Sequence, residues 1–236
     1  MKLDAILWDY DGTLVNSVPK NIDITKKILS IVAPHLTENN LPIYLQSESA
    51  YHEANHSAKN WQELYQKFYG LTENETLAAG NLWTEHQVNN STPVELYSGI
   101  KYVIEYLSSL PHGICSQNSS LNIWKVIKEA NLHHAFKSVI GYTDVANNAQ
   151  KPCADSGIKC LSEIFDDISN KTVFYIGDHE ADVQFARNLD EKLGSNSTVL
   201  SVAVTYSGST PENWHHQPDY MLNHPENLLE ICNLYD

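Results

Sequence analysis

Apolar and polar positions follow a repeating pattern along most of the chain. Residues 4–9 form a short apolar run that leads directly into a polar turn containing glycine, as expected for a buried strand and the loop after it. Further apolar runs of strand length occur at about 112–115, 137–140, 172–176 and 198–204. The segments between and after them have helical spacing, near residues 97–109, 121–130, 153–165, 180–190 and 225–234.

Strands that alternate with helices of this length predict βαβ units. The predicted fold class is therefore α/β, with a doubly wound parallel sheet covered by helices on both faces. A different pattern interrupts the series from about residue 17 to 92, where aromatic and polar stretches have helical spacing and no convincing strand occurs. We predict a core domain formed by residues 1–16 and 93–236, with a helical domain, 17–92, inserted into it.

Charge and cysteine content narrow the classes of partner. The chain has 15 Lys and Arg against 29 Asp and Glu, a net charge of −14, which argues against binding to nucleic acid or to an anionic membrane. The N-terminal apolar run is too short for a signal peptide and is interrupted by Asp4, and no apolar stretch is long enough to span a membrane. Four cysteines without a C-x-x-C pair predict free thiols and a cytoplasmic location. The sequence does not indicate an oligomeric state.

Two acidic motifs follow predicted strands. Asp9 and Asp11 lie on the turn after the first strand, where two close carboxylates repel each other unless a cation or a shared proton compensates. Such pairs also occur in ordinary solvated loops. Asp178 and Asp182 follow the strand at 172–176, and with Asp9 they would suit Mg²⁺, which prefers a few carboxylates together with water and substrate oxygens. The alternative is that Asp178 caps the next helix.

Two further motifs offer groups that could bind phosphate. Ser116, Gln117 and Asn118 follow the strand at 112–115 and supply a hydroxyl, amides and backbone N–H groups before a helix. Alternatively, Ser116 or Ser119 caps that helix. Lys151 precedes Pro152, where it could neutralise a phosphoryl group, although a lysine in this context is more often a surface residue.

The order of these four motifs resembles that of the haloacid dehalogenase-like (HAD) hydrolase superfamily, and the helical insertion resembles the C1 cap of its phosphoglycolate phosphatase-like and β-phosphoglucomutase-like branch. The resemblance implies that Asp9 is the nucleophile and Asp11 the general acid and base. It also implies that Mg²⁺ is bound by Asp9, the backbone carbonyl of Asp11 and Asp178, with Asp182 as a ligand or as a residue that orients metal-bound water.

The same resemblance implies that Ser116 and the backbone near Gln117 and Asn118 bind the phosphate together with Lys151. The function it implies is a Mg²⁺-dependent phosphatase that hydrolyses a small phosphorylated metabolite through an aspartyl-phosphate intermediate.

Other activities of the superfamily are alternatives. A phosphosugar mutase usually has a histidine where this chain has Asn21, and dehalogenases lack the acid that Asp11 would provide. Phosphonatases use a lysine of the cap, and nothing in the sequence singles out Lys20, Lys26 or Lys27 as buried. A catalytically inactive binding protein on this fold would have lost a motif carboxylate or the lysine, whereas this chain keeps them all.

Overall fold

The computed structural model describes residues 1–235, and the chain divides into two compact units. The first contains residues 1–16 and the chain from residue 96 onward. The second is Ser17–Glu95, which ends three residues later than the sequence pattern predicts.

The first unit is built on a sheet of six strands in the order β5-β4-β1-β6-β7-β8, and every neighbouring pair is parallel. Two short strands, β2 and β3, form a separate pair. The strands are β1 (Ala5–Trp8), β2 (Val15–Asn16), β3 (Glu95–Leu96), β4 (His112–Cys115), β5 (Phe136–Ile140), β6 (Thr172–Gly177), β7 (Thr198–Val204) and β8 (Tyr220–Leu222).

The strand order reverses at β1, which is the feature that defines a doubly wound sheet. From β1 the chain adds β4 and β5 on one side and then β6, β7 and β8 on the other. All four residues of β1 are buried, and the N–H of Asp9 continues the pairing by donating to the carbonyl of Ile176 at 2.7 Å. The predicted fold class is confirmed, and Asp9 lies beside the reversal of strand order, where open α/β sheets commonly bind ligands.

Five helices accompany this sheet: α5 (Ile100–Tyr106), α6 (Ser120–Glu129), α7 (Asp155–Ile164), α8 (Glu180–Leu193) and α9 (Asn227–Cys232). Helix α8 runs three residues past the predicted end, to Leu193, and stops where Gly194 adopts a φ of +84° that other residues rarely tolerate. Sequence reasoning missed β8 because it has only three residues, of which Leu222 alone is buried.

A buried pair of side chains links β1 to β4. The indole N–H of Trp8 donates to Nδ1 of His112 at 3.0 Å, and Nε2 of His112 lies 3.2 Å from the carbonyl of Leu107. Since Nδ1 accepts a hydrogen bond, the proton of the neutral ring belongs on Nε2, which donates to Leu107. Burial lowers the pKa of His112 to about 4, so the ring is neutral near pH 7.

The second unit is helical, and none of residues 17–94, all of which are described, lies in a strand. Tyr65 belongs to the core of this unit, whereas Trp61 is 44% exposed, so the helical spacing of these aromatic residues marks a buried face only in part.

Burial also distinguishes one lysine of this unit from its neighbours, because Lys20 is 5% exposed while Lys26 and Lys27 are exposed. The principal helices are α1 (Val18–Val32), α2 (Glu48–Ser57), α3 (Trp61–Glu63), which continues as a π-helix over Leu64–Phe68, and α4 (Glu73–Asn89).

Across residues 1–235, no helix combines the length and the apolar character that crossing a membrane would require.

Candidate active site

Three acidic side chains meet at the carboxyl edge of the sheet. Asp9 follows β1, Asp178 follows β6, and Asp182 lies in the first turn of α8. Each offers a carboxylate oxygen within 4.8 Å of the others, and the three residues are between 5% and 8% exposed. The two acidic motifs, which are almost 170 residues apart in the chain, thus form one buried cluster.

Lys151 is the cation of this cluster. Its ammonium lies 2.6 Å from Oδ1 of Asp9 and 2.5 Å from Oδ1 of Asp182, and its side chain is 6% exposed. Burial alone would lower the pKa of Lys151, but the carboxylates of Asp182 and Asp9 outweigh burial and raise that pKa above its usual value. The alternative that Lys151 is a surface residue is therefore wrong.

The pKa of Asp9 reflects the same crowding. Burial raises the pKa of Asp9 well above its usual value; Lys151 opposes this shift, while Asp182 and Asp178 add to it. One ammonium among three buried carboxylates leaves an excess of negative charge, and an additional cation would favour the ionised form of Asp9.

Two glycines make the close approach of these carboxylates possible. A methyl group on Gly12 would overlap the carboxylate of Asp178, and one on Gly177 would overlap that of Asp182. Gly12 also has a φ of +77°, a backbone conformation that favours glycine. The acidic cluster therefore depends on the absence of a side chain at both positions.

The start of α8 removes one alternative for Asp178. The residue that caps this helix is His179, whose Nδ1 accepts from the N–H of Ala181 at 3.0 Å. Asp182 completes the cap by accepting from the N–H of His179 at 3.0 Å. The interpretation of Asp178 as the capping residue is thus wrong, because it precedes the cap by one position. The backbone carbonyl of Asp178 accepts from the hydroxyl of Ser209 at 2.5 Å, which ties the loop after β7 to this edge.

The start of α6 resolves a similar alternative for Ser116. Ser119 caps this helix, since its hydroxyl accepts from the N–H of Asn122 at 3.3 Å. Ser116 is 6% exposed and follows directly after β4, and its hydroxyl accepts from the N–H of Asn118 at 3.2 Å. Ser116 therefore does not cap α6, and its hydroxyl belongs to the turn at the edge of the sheet.

Asn118 connects this turn to Asp11. Its side-chain N–H donates to Oδ2 of Asp11 at 2.8 Å, while its oxygen accepts from the N–H of Ser119 at 2.8 Å and from the amide of Asn122 at 3.1 Å. The bond from the backbone N–H of Ser119 fixes which end of the Asn118 amide is the oxygen, so the nitrogen must face Asp11. Sequence reasoning assigned Asn118 to phosphate alone and missed this contact, since spacing does not show which carboxylate an amide faces.

Two other contacts organise the surroundings of Lys151. The side-chain amide of Gln117 donates to the backbone carbonyl of Lys151 at 2.9 Å. The hydroxyl of Tyr175, in the middle of β6, lies 2.6 Å from the Lys151 ammonium and 3.4 Å from Oδ1 of Asp182. Tyr175 was not a candidate from the sequence, where it is one more apolar-type residue of a buried strand.

The donor set can be tested against a divalent cation. Three carboxylates supply the hard oxygen ligands that Mg²⁺ prefers, and their oxygens are close enough together to share one ion. Because Gly12 and Gly177 have no side chains, the carboxylates of Asp178 and Asp182 have room to approach each other. The residues present thus fit a Mg²⁺ site formed by Asp9, Asp178 and Asp182.

Comparison with known proteins identifies the class. Residues 6–193 match the haloacid dehalogenase-like hydrolase family. This match covers most of the chain and includes all four motifs, so the chain belongs to the haloacid dehalogenase-like hydrolase family and is a hydrolase. The resemblance inferred from the motifs is confirmed. A search of curated proteins found no match.

Solved structures show the same fold over nearly the full length. A haloacid dehalogenase-like family hydrolase from Streptococcus pneumoniae is 20% identical, with a TM-score of 0.72 over 97% of this chain and 98% of that chain. A predicted phosphoglycolate phosphatase from Haemophilus somnus is 20% identical, with a TM-score of 0.71 over 98% of each chain. A predicted phosphatase from Clostridium acetobutylicum is 18% identical, with a TM-score of 0.70 over 99% of this chain and 100% of that chain.

Proposed function

We propose that this hydrolase is a Mg²⁺-dependent phosphatase that cleaves a small phosphorylated metabolite through an aspartyl-phosphate on Asp9. The observation that carries the proposal is the buried contact of the Asp9 carboxylate with the Lys151 ammonium, beside Asp178 and Asp182. Membership of the hydrolase family supports the reaction type, and the phosphatases among the structural neighbours support a phosphate ester as substrate. The helical insertion resembles the C1 cap, which supports a small substrate.

Mg²⁺ would be held by Asp9, Asp178 and the backbone carbonyl of Asp11, with Asp182 as a further ligand or hydrogen-bonded to metal-bound water. When bound, the ion supplies positive charge that offsets the repulsion between the carboxylates and the phosphate. Lys151 supplies the other positive charge, and the raised pKa of Lys151 keeps it an ammonium near neutral pH. Together these charges would hold an anionic substrate in a protein whose net charge is −14.

In the first half of the reaction, a carboxylate oxygen of Asp9 attacks phosphorus and the bond from phosphorus to the ester oxygen breaks. Asp11 gives its proton to the departing alcohol. Ser116 and the backbone N–H of Gln117 would donate to the phosphoryl oxygens, and Lys151 would balance their charge.

In the second half, Asp11 takes a proton from water as the water oxygen attacks phosphorus. The bond between phosphorus and Asp9 breaks, which releases inorganic phosphate and restores the Asp9 carboxylate and the protonated Asp11. The amide of Asn118 bonds Oδ2 of Asp11 at 2.8 Å, which supports Oδ1 as the atom that gives and takes the proton in both halves.

The first test is hydrolysis of p-nitrophenyl phosphate, followed by a panel of sugar phosphates, nucleotides and phosphoglycolate, with and without Mg²⁺. We expect Mg²⁺-dependent turnover by the natural protein and loss of at least about a thousandfold in Asp9→Asn, because the amide is a poor nucleophile. Asp166→Asn is the matched control, since Asp166 is exposed and lies outside the site. Substantial turnover by Asp9→Asn, with its fold intact by circular dichroism, would contradict the proposal.

A second test identifies the covalent step. Rapid quenching during turnover should give a phosphate adduct on the peptide that contains Asp9, removable by hydroxylamine. Transfer of the phosphoryl group to a second hydroxyl of a sugar phosphate, without release of phosphate, would instead identify a mutase. Binding of a phosphate ester with neither adduct nor product would identify an inactive binding protein.

We also propose a cytoplasmic location. All four cysteines, at positions 115, 153, 160 and 232, are free thiols, which supports a reducing, cytoplasmic location.

A further inference from the structure

The hydroxyl of Tyr175 contacts the Lys151 ammonium, and no step of the proposed reaction uses it. We infer that Tyr175 is a positioning residue, which holds the ammonium of Lys151 against Asp9 throughout the reaction. The inference rests on the proposed phosphatase function and adds to it a residue outside the four motifs. Tyr175 itself would touch neither the substrate nor the reacting atoms.

Counting donors and acceptors defines the role of the hydroxyl. The ammonium has three N–H donors, and four oxygens lie around it: Asp182 at 2.5 Å, Asp9 at 2.6 Å, Tyr175 at 2.6 Å and the carbonyl of Cys115 at 3.4 Å. The hydroxyl of Tyr175 donates to that same carbonyl of Cys115 at 2.9 Å. Because the proton of the Tyr175 hydroxyl points to the Cys115 carbonyl, the lone pairs of the hydroxyl oxygen face Lys151. The three N–H groups of Lys151 then donate to the carboxylates of Asp9 and Asp182 and to the hydroxyl of Tyr175.

The position of this hydroxyl is tightly constrained. Tyr175 belongs to the central strand β6, is 1% exposed and packs its ring against Phe185 of α8 with 4.5 Å between ring centroids. The Lys151 ammonium also lies 5.2 Å from the centre of the Tyr175 ring and 5.8 Å from that of Phe185. A close-packed ring of this kind gives its hydroxyl a fixed location, from which it can hold a flexible lysine side chain.

The proposed chemistry explains why a neutral contact matters. When Asp9 becomes an aspartyl-phosphate, its carboxylate loses the charge that attracts Lys151. The hydrogen bond to Tyr175 does not depend on that charge. Without the hydroxyl, the carbonyl of Cys115 would lose its donor from Tyr175 and could draw the ammonium away from Asp9.

Tyr175→Phe removes the hydroxyl and keeps the ring that packs on Phe185. We expect kcat/KM for p-nitrophenyl phosphate to fall about tenfold, the scale of one hydrogen bond to a charged group. Tyr220→Phe is the matched control and should keep the natural kcat/KM, because its hydroxyl pairs with that of Tyr235 and Tyr220 lies on the edge strand β8, which β7 separates from β6. A Tyr175→Phe protein with the kcat/KM of the control would overturn the inference.

A double-mutant cycle separates positioning from a general structural effect. Inorganic phosphate binding is measured by calorimetry with Mg²⁺ for the natural protein, Tyr175→Phe, Lys151→Met and the double variant. If Tyr175 acts through Lys151, its replacement weakens phosphate binding several-fold in the natural background and has no effect in Lys151→Met. Equal weakening in both backgrounds would overturn the inference.

Failure of the phosphatase function and failure of the Tyr175 role would give different results. If the natural protein neither binds phosphate nor hydrolyses any ester, the proposed function is wrong. If it does both and the cycle is additive, only the role of Tyr175 is wrong. Should Lys151→Met not fold, the comparison of Tyr175→Phe with Tyr220→Phe still decides the inference.

Discussion

The buried pair of Trp8 and His112 makes the stability of the sheet sensitive to acid. His112→Gln removes the titrating ring, and the glutamine offers an oxygen that can accept from the indole of Trp8 and an N–H that can donate to Leu107. The pair links β1 to β4, the strands that precede Asp9 and Ser116. Protonation of the ring would occupy Nδ1, the atom that accepts the indole N–H.

The magnitude follows from two pKa values. His112 has a pKa of about 4 when folded and 6.5 when exposed, because burial disfavours the charged ring. A folded-state pKa below the unfolded one means that the unfolded chain binds the proton first, so stability is full above pH 6.5 and is lost as the pH falls towards 4. Integrating this difference from about pH 7.5 to about pH 4.5 gives a loss of roughly 2.5 kcal/mol in the free energy of unfolding.

Urea unfolding followed by circular dichroism at several pH values measures this free energy. Other groups also titrate, so the decisive quantity is the difference between the natural protein and His112→Gln, which should change by roughly 2.5 kcal/mol over that range. His224→Gln is the control, since His224 is exposed and the buried pair stays intact in that variant. Parallel loss of stability in the natural protein and His112→Gln would refute the reasoning.

Two further predictions concern the site itself. Gly177→Ala should raise the Mg²⁺ concentration required for half-maximal activity by at least about tenfold, because the added methyl overlaps the Asp182 carboxylate. A Mg²⁺ titration of hydrolysis measures this concentration, and an unchanged value would contradict the prediction. Asn118→Ala removes the donor to Asp11, and we expect kcat to fall about tenfold or more with a smaller change in KM; a variant with natural kcat and a raised KM would instead assign Asn118 to substrate binding alone.

The sheet and the acidic cluster could be predicted because both depend on short-range patterns. A strand of buried residues followed by a polar turn places its last side chain at the carboxyl edge, and parallel strands bring these edges together. The strands before Asp9, Ser116 and Asp178 were all recognisable in this way. Knowledge of the motif order then connected Lys151, which follows a loop after β5, to the same edge.

The remaining features depend on three-dimensional contacts that spacing does not encode. His179, in place of Asp178, caps α8 because the backbone turns one residue later than the aspartate, and a sequence pattern does not fix a cap to one position. The bond from Asn118 to Asp11 and that from Tyr175 to Lys151 join residues far apart in the chain. Burial of Lys20 was not predicted either, since a lysine in a helix is usually exposed to solvent.

The two ends of the sheet also differ in what their residues do. At the amino edge, the N–H of Asp4 donates to the carbonyl of Thr172, and the N–H of Thr172 donates to the carboxylate of Asp4. The backbone N–H of Lys171 donates to the hydroxyl of Ser197, and the backbone carbonyl of Lys171 accepts from the N–H of Thr198. These contacts join neighbouring strands and lie at the opposite end of β1 from Asp9. In a mutational library scored separately for cellular abundance and for turnover, substitutions of Asp4 and Ser197, whose side chains accept two of these bonds, should reduce abundance. Replacement of Asp9 or Asp11 at the carboxyl edge should lower turnover far more than abundance, so the position of a residue along the strands would separate the two phenotypes.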